Sequence, residues 1–282
     1  MIPAVDIPAY LARIGYAGPR IPTLATLNAI VARHVENIPF ENLDVLLNRP
    51  ISIELPDIEN KLVRQHRGGY CFEHNTLLLH ALGALGFSVT ALGARSCYQR
   101  PERDTLPRTH VLLRVELEGE SYLVDGGFGG LSPTAALRLA ADVRQETPHE
   151  PRRIVREGGW EGLALRAPDA VLVHQALLGD TWHDLYTFTL EPMPPADREM
   201  GSWYTSAHSR SHFREHLMVA RATPDGRMTL QDRELTWRPR DGHAKSRVLQ
   251  TYRELLDALA EHFELVFAQG TRFECPTLSD LS

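Results

Sequence analysis

The stretch Arg67–Arg95, R-G-G-Y-C-F-E-H-N-T-L-L-L-H-A-L-G-A-L-G-F-S-V-T-A-L-G-A-R, changes its period in mid-course. From Cys71, residues Asn75, Leu78, Leu82 and Leu85 recur at steps of three and four, the stripe of an amphipathic helix. Gly86 ends that helix. From Phe87 the pattern becomes S-V-T-A-L-G-A-R, the alternation of a strand. The chain is therefore helical before this point and sheet-forming after it.

Upstream, Asp6 is a cap for a short helix with Pro8 in its first turn, Tyr10, Leu11 and Ile14 on one face, and Gly15 as its stop. Thr23 is a cap for a second helix carrying Leu27, Ile30, Val31 and His34, and Pro39 breaks that helix. Downstream, H-V-L-L-R-V-E-L, S-Y-L-V-D, I-V-R, L-A-L-R (163–166), A-V-L-V-H and L-Y-T-F-T-L read as strands as far as about Leu190. Their short, regular spacing predicts a closed or nearly closed antiparallel sheet. E-P-M-P-P-A-D (191–197) reads as a connector. The remainder mixes short strands with one clear helix, whose stripe is Val248, Tyr252, Leu255, Leu259 and Phe263.

Composition bounds the function. The 282 residues suffice for about two ordinary domains, and 43% apolar with 23% charged residues is globular. No apolar run reaches the roughly 18 residues of a transmembrane helix, and the first residues lack the pattern of a secretory signal. Three cysteines are too few for a disulfide framework and point to a reducing, cytoplasmic setting. A net charge of −6 argues against non-specific nucleic-acid binding. Of 30 basic residues only Lys61 and Lys245 are lysine.

Cys71 directly follows a Gly-Gly turn and opens a helix, where the positive end of the helix favours thiolate over thiol. In R-T-H-V-L-L-R-V-E-L, alternation puts Val111, Leu113, Val115 and Leu117 on one face, with His110 and Leu112 on the other. The turn L-E-G-E pairs Leu117 with Glu120, which sets Asp125 opposite Leu112, one same-face step from His110. That diagonal spans about 7–8 Å between Cα atoms, within side-chain reach. The residues thus predict a nucleophile, a base and an orienting carboxylate.

R-G-G-Y-C-F-E-H-N, I-P-F-E-N-L-D, R-T-H-V-L-L, V-D-G-G-F-G and S-W-Y-T-S-A-H-S-R-S-H-F (202–213) together resemble the arylamine N-acetyltransferase family. His110 follows Cys71 by 39 residues and Asp125 follows His110 by 15, as in that family. The resemblance implies an α+β fold with three parts. These are a helical bundle over 1–86, an antiparallel β-barrel over 87–195, and a C-terminal α/β lid over 196–282 around a cysteine-protease-like core. It implies acetyl transfer from acetyl-CoA, as co-substrate, to arylamines, arylhydrazines and N-hydroxyarylamines. Cys71 would carry the acetyl group, His110 shuttle protons and Asp125 orient His110. Phe40 and Phe128 match positions lining the acceptor pocket. Thr109, Gly127, Gly129 and Tyr204 match positions near coenzyme A. Three positions depart from the family pattern: His74 replaces an apolar residue, Gly126 a small apolar one, and Ser209 a proline.

Other signals are weaker. A helix would align His208, His212 and His216, but Arg210, Arg214 and Glu215 between them read as a solvated face, so no metal is expected. D-G-G-F-G-G opens no clear helix and is not a dinucleotide fingerprint. Glu41 reads as a structural hydrogen-bonding residue, and Cys97 and Cys275 as bystanders. The rival reading is a papain- or transglutaminase-like cysteine hydrolase, which uses the same order of cysteine, histidine and acid.

Overall fold

The computed structural model describes residues 4–100, 106–157, 170–241 and 243–281. Its N-terminal helices start where their caps predict. Helix α1 (Ile7–Arg13) is held by the Asp6 carboxylate, which accepts from the Ala9 N–H at 3.0 Å, and Gly15 follows it at φ +63°. Helix α2 (Leu24–Asn37) is capped by Thr23 and buries Leu27, Ile30, Val31 and His34. After Pro39 come a two-residue strand β1 (Phe40–Glu41), α3 (Leu43–Leu46), and α4 (Leu55–Ile58), which runs into a π-helical turn, Glu59–Arg64. Helix α5 (Cys71–Ala84) is more enclosed than its stripe predicts. Every residue from Cys71 to Leu78 is buried, including Glu73, His74, Asn75 and Thr76. It is the central helix, not a surface one. Removing a core side chain here, as in Leu78→Ala, would cost about 2–5 kcal/mol.

The predicted change of period is real. Strands β2 (Ser88–Ser96), β3 (His110–Leu117), β4 (Glu120–Val124), β5 (Leu137–Arg138), β6 (Arg152–Arg156), β7 (Leu172–Leu178) and β8 (Thr181–Pro192) form one antiparallel sheet in the order β5-β4-β3-β2-β8-β7-β6. Bridges from Ala141 to Ile154 and from Gln145 to Arg152 tie its two edges together, so the barrel is nearly closed. The hairpin register is the predicted one, Leu117 opposite Glu120 through Leu113 opposite Val124. The faces also sort as alternation requires. Val111, Leu113 and Val115 share a core with α5, while Leu112 lies in the barrel core with Leu92, Tyr186 and Phe188. The L-A-L-R strand lies outside the described residues.

The C-terminal part differs more from expectation. The 191–197 segment is no free connector, because β8 runs to Pro192 and α6 (Pro195–Ala207) begins at Pro195. Proline suits the first turn of a helix, where its missing N–H is no loss. Helix α6 ends before His208, and a separate short turn, α7 (His212–Glu215), comes after it. No single helix aligns the three histidines. Strands β9 (Met218–Thr223), β10 (Gly226–Gln231), β11 (Glu234–Pro239) and β12 (Lys245–Val248) make a second sheet, ordered β1-β9-β10-β11-β12. Helix α8 (Tyr252–Phe263) starts at the Thr251 cap and packs Tyr252, Leu255, Leu259 and Phe263 on this sheet. Val248 does not belong to its stripe. It sits in edge strand β12, ahead of the cap, and is 52% exposed. Among the described residues no helix is long and apolar enough to cross a membrane.

Candidate active site

Two segments distant in sequence build the turn before Cys71. Gly69 N–H donates to Pro39 O, and Glu41 N–H donates to Gly69 O at 2.8 Å, so I-P-F-E and R-G-G-Y run side by side. Buried ion pairs hold this crossing. Arg67 bonds Glu41 at 2.7 Å and Asp44 at 3.1 Å; Lys61 bonds Asp44 at 2.9 Å and Glu73 at 2.8 Å. The Glu73 carboxylate also accepts from the Tyr70 N–H at 3.0 Å, closing the first turn of α5. Glu41 thus has the structural role expected of it, and it also accepts from Leu43 N–H.

The base arrives on the hairpin. His110 Nε2–H donates to Asp125 Oδ2 at 2.7 Å. Cys71 lies near enough to the ring to favour its charged form. As a thiol, Cys71 donates to the Thr109 carbonyl at 3.7 Å. All three groups are buried, with Asp125 at 0% exposure. Burial opposes a charged imidazole, but the Asp125 carboxylate, its hydrogen bond and Cys71 outweigh it and push the His110 pKa up to about 10. Burial would likewise raise Asp125, yet His110, Asn75 and the Gly127 N–H hold it below the usual carboxylate value.

Asn75 was legible in the sequence only as part of a stripe. Its amide donates to Asp125 Oδ1 at 2.9 Å and to Val111 O, and its oxygen accepts from Gly126 N–H. It locks the helix to the hairpin. Its signal was a polar residue one turn after Cys71 on a core face. Gly127 completes the contact, because a Cβ there would come within 2.6 Å of the Cys71 Cα. Any side chain would separate the loop from the nucleophile.

Cys71 and His110 open onto a cavity of about 860 Å³, within the usual range for small-molecule sites. Every predicted binding residue lines it: Phe40, Phe128, Thr109, Gly127, Gly129 and Tyr204. Phe128 packs edge-on against His110, ring centroids 5.2 Å apart, and Phe40 packs edge-on against Phe213 at 6.1 Å. Sequence reasoning did not anticipate Phe213, or Arg100, Arg210 and Arg238, which also line the cavity. Tyr186 was missed as well; its ring lies 4.9 Å from that of His110. None of the three cysteines forms a disulfide, and Cys97 and Cys275 are buried outside this constellation.

The family model described as N-acetyltransferase matches residues 23–271. An arylamine N-acetyltransferase of Mycolicibacterium smegmatis is 43% identical over 264 residues, 92% of each chain. The chain belongs to the arylamine N-acetyltransferase family. Among solved arylamine N-acetyltransferases, that of Mycobacterium marinum in complex with CoA superposes with a TM-score of 0.85 at 37% identity, covering 92% of both chains. A Salmonella typhimurium relative, 39% identical over 85% of this chain and 81% of its own, is named for N-hydroxyarylamine O-acetyltransferase activity as well. The fold is the α+β arrangement of the family, and the hydrolase reading gives way to an acetyltransferase that takes acetyl-CoA as co-substrate.

Proposed function

We propose that the enzyme moves an acetyl group from acetyl-CoA to the nitrogen of arylamines and arylhydrazines, and to the oxygen of N-hydroxyarylamines, through an acetyl-Cys71 intermediate. The observation that carries this reading is the pairing of Cys71 and His110 on one wall of an aromatic-lined cavity, with Asp125 behind His110. The names of its relatives support the substrate class.

The chemistry follows from the residues. The Cys71 thiolate attacks the acetyl carbonyl and the oxyanion develops beside backbone N–H groups at the start of α5. The carbon–sulfur bond to coenzyme A breaks, and the departing sulfur takes the proton of the His110 imidazolium. The acceptor amine then attacks the thioester, His110 removes its proton, and Cys71 leaves. Phe40 and Phe128 hold a flat acceptor and keep water from the thioester. Thr109, Gly127, Gly129 and Tyr204 guide the coenzyme. The division into 1–86, 87–195 and 196–282 belongs to the same reading, with the nucleophile, the base pair and the lid on successive parts. A cytoplasmic location is supported by the cysteine content.

Acetyl-CoA alone should leave an adduct of about 42 Da on the peptide containing Cys71. Double-reciprocal plots against acetyl-CoA and an arylamine should be parallel. Intersecting lines with an unmodified peptide would overturn the covalent route.

A further inference from the structure

The segment after α6 holds a second cluster of donor groups, built by α7 and outside the catalytic line. One donor atom from each of His212, Glu215 and His216 lies within 4.8 Å of the others. They share one helical turn, and the His216 N–H closes it by donating to His212 O at 3.1 Å. The two imidazole rings lie 4.3 Å apart. The expected solvated face is therefore a convergent one, although not along the helix that the 208–216 spacing suggested.

The second histidine is oriented from behind. His216 Nδ1–H donates to Asp232 Oδ2 at 2.9 Å, which fixes the tautomer and leaves Nε2 as a lone pair. Asp232 is itself held, since its other oxygen accepts from Leu217 N–H at 2.9 Å and Thr277 O–H at 2.6 Å. A carboxylate behind a histidine is the arrangement that orients metal ligands. Glu215 and Asp232 together balance a divalent charge, against Arg100 on the same cavity wall. Two imidazoles and a carboxylate suit borderline cations such as zinc, whereas magnesium and calcium prefer oxygen alone.

We propose that His212, Glu215 and His216 bind one zinc-class divalent cation at the rim of the cavity onto which Cys71 and His110 open. His212 and Glu215 line that cavity, and three protein ligands leave a fourth position open. The half-buried histidines and exposed Glu215 give the ion direct access from solvent.

The test uses the full chain carrying Cys71→Ser, so that the active-site sulfur cannot contribute. After chelator treatment, zinc is titrated in competition with a chromophoric chelator, and cobalt is added as a spectroscopic probe. One equivalent of zinc should bind. His212→Gln, His216→Gln and Glu215→Gln should each weaken it about tenfold or more with melting temperatures unchanged. Bound cobalt should show visible ligand-field bands without a sulfur charge-transfer band. Absence of stoichiometric binding, unaltered affinity in the glutamine variants, or a sulfur band from Cys97 or Cys275 would overturn the proposal.

Discussion

Two buried histidine pairs adjoin α5, and they have opposite electrostatic fates. His110 faces a carboxylate and is held charged to about pH 10. His74 faces His34, with Nδ1 of one 2.8 Å from Nε2 of the other. Here the hydrogens can be placed by elimination. Pro39 O only accepts, so His74 Nε2 carries the hydrogen toward it at 3.2 Å. In the neutral rings His74 Nδ1 then accepts from His34 Nε2–H, and His34 Nδ1 accepts from the Tyr10 hydroxyl at 3.0 Å. With both rings kept neutral by burial, every link from Tyr10 to Pro39 is satisfied. Burial, with Pro39 as a weaker opposing acceptor, brings His74 down to about 4, and burial with the neighbouring His74 puts His34 well below its ordinary value. Burial is the largest influence on all three rings, yet only the one beside a carboxylate stays charged. The partner, not the depth, decides the charge. Positions 74 and 126, read as departures from the family pattern, are linked through His34. A Cβ on Gly126 would come within 2.6 Å of Leu78 Cδ1 and 2.9 Å of the His34 ring, so glycine there makes room for both.

The largest expected effect separates the two pairs by activity. Asp125→Asn should keep the fold but lower the rate of Cys71 acetylation by about four orders of magnitude, measured by mass spectrometry after rapid quenching. His74→Leu should leave that rate within about tenfold. A comparable loss in both variants would erase the distinction.

Stability should divide them the other way. His74→Leu strands the His34 N–H, while the Pro39 carbonyl keeps the Gly69 N–H, at a cost of about 1–3 kcal/mol read from denaturant melts. A neutral midpoint identical to that of the parent chain would show that the pair contributes nothing.

The pH dependence sharpens the contrast through its sign. His110 has a folded pKa above its unfolded value of about 6.5. Its contribution is full below that pH and is lost as pH rises toward about 10. The folded pKa of His74 is lowered, so its contribution is present above about pH 6.5 and is lost as pH falls toward about 4. Against the parent chain, His110→Gln should therefore flatten the alkaline limb of a stability curve, and a His34→Leu/His74→Leu double variant the acid limb. Unchanged slopes would remove the electrostatic assignment.

The smallest effect concerns Phe128, which packs on the charged pair. Phe128→Ala should weaken acceptor selectivity by about 0.5–1.5 kcal/mol and speed hydrolysis of the acetyl-enzyme, while acetylation by acetyl-CoA changes less. Stopped-flow traces of both half-reactions decide this, and unchanged transfer and hydrolysis would leave Phe128 as packing only.

The charged pair was legible in the sequence because it rests on local rules. A hairpin turn fixes register, and register brings His110 and Asp125 onto one face. Helix caps at Asp6 and Thr23 were legible for the same reason, whereas the Thr251 cap went unread because Val248 was placed on the helix stripe. The neutral pair was not, since His34 and His74 are joined by packing across 40 residues. Helix α6 escaped notice because Met200 and Trp203, 71% and 59% exposed, blur its apolar stripe. The ion pairs of Arg67 and Lys61 likewise link segments that no periodicity connects.

Strand β1 has a consequence for how the molecule is made. Phe40 and Glu41 pair with Ala220 and Val219, so a segment synthesised early is seated on one synthesised late. Asn42 reinforces the join, donating to the Phe213 and His216 carbonyls and accepting from Met218 N–H. A nascent chain on the ribosome therefore possesses Cys71, His110 and Asp125 long before the strand that braces Phe40 has been translated. Chains stalled before Met218 should alkylate at Cys71 yet fail to select among acceptors, and competence should arrive with the last third of translation.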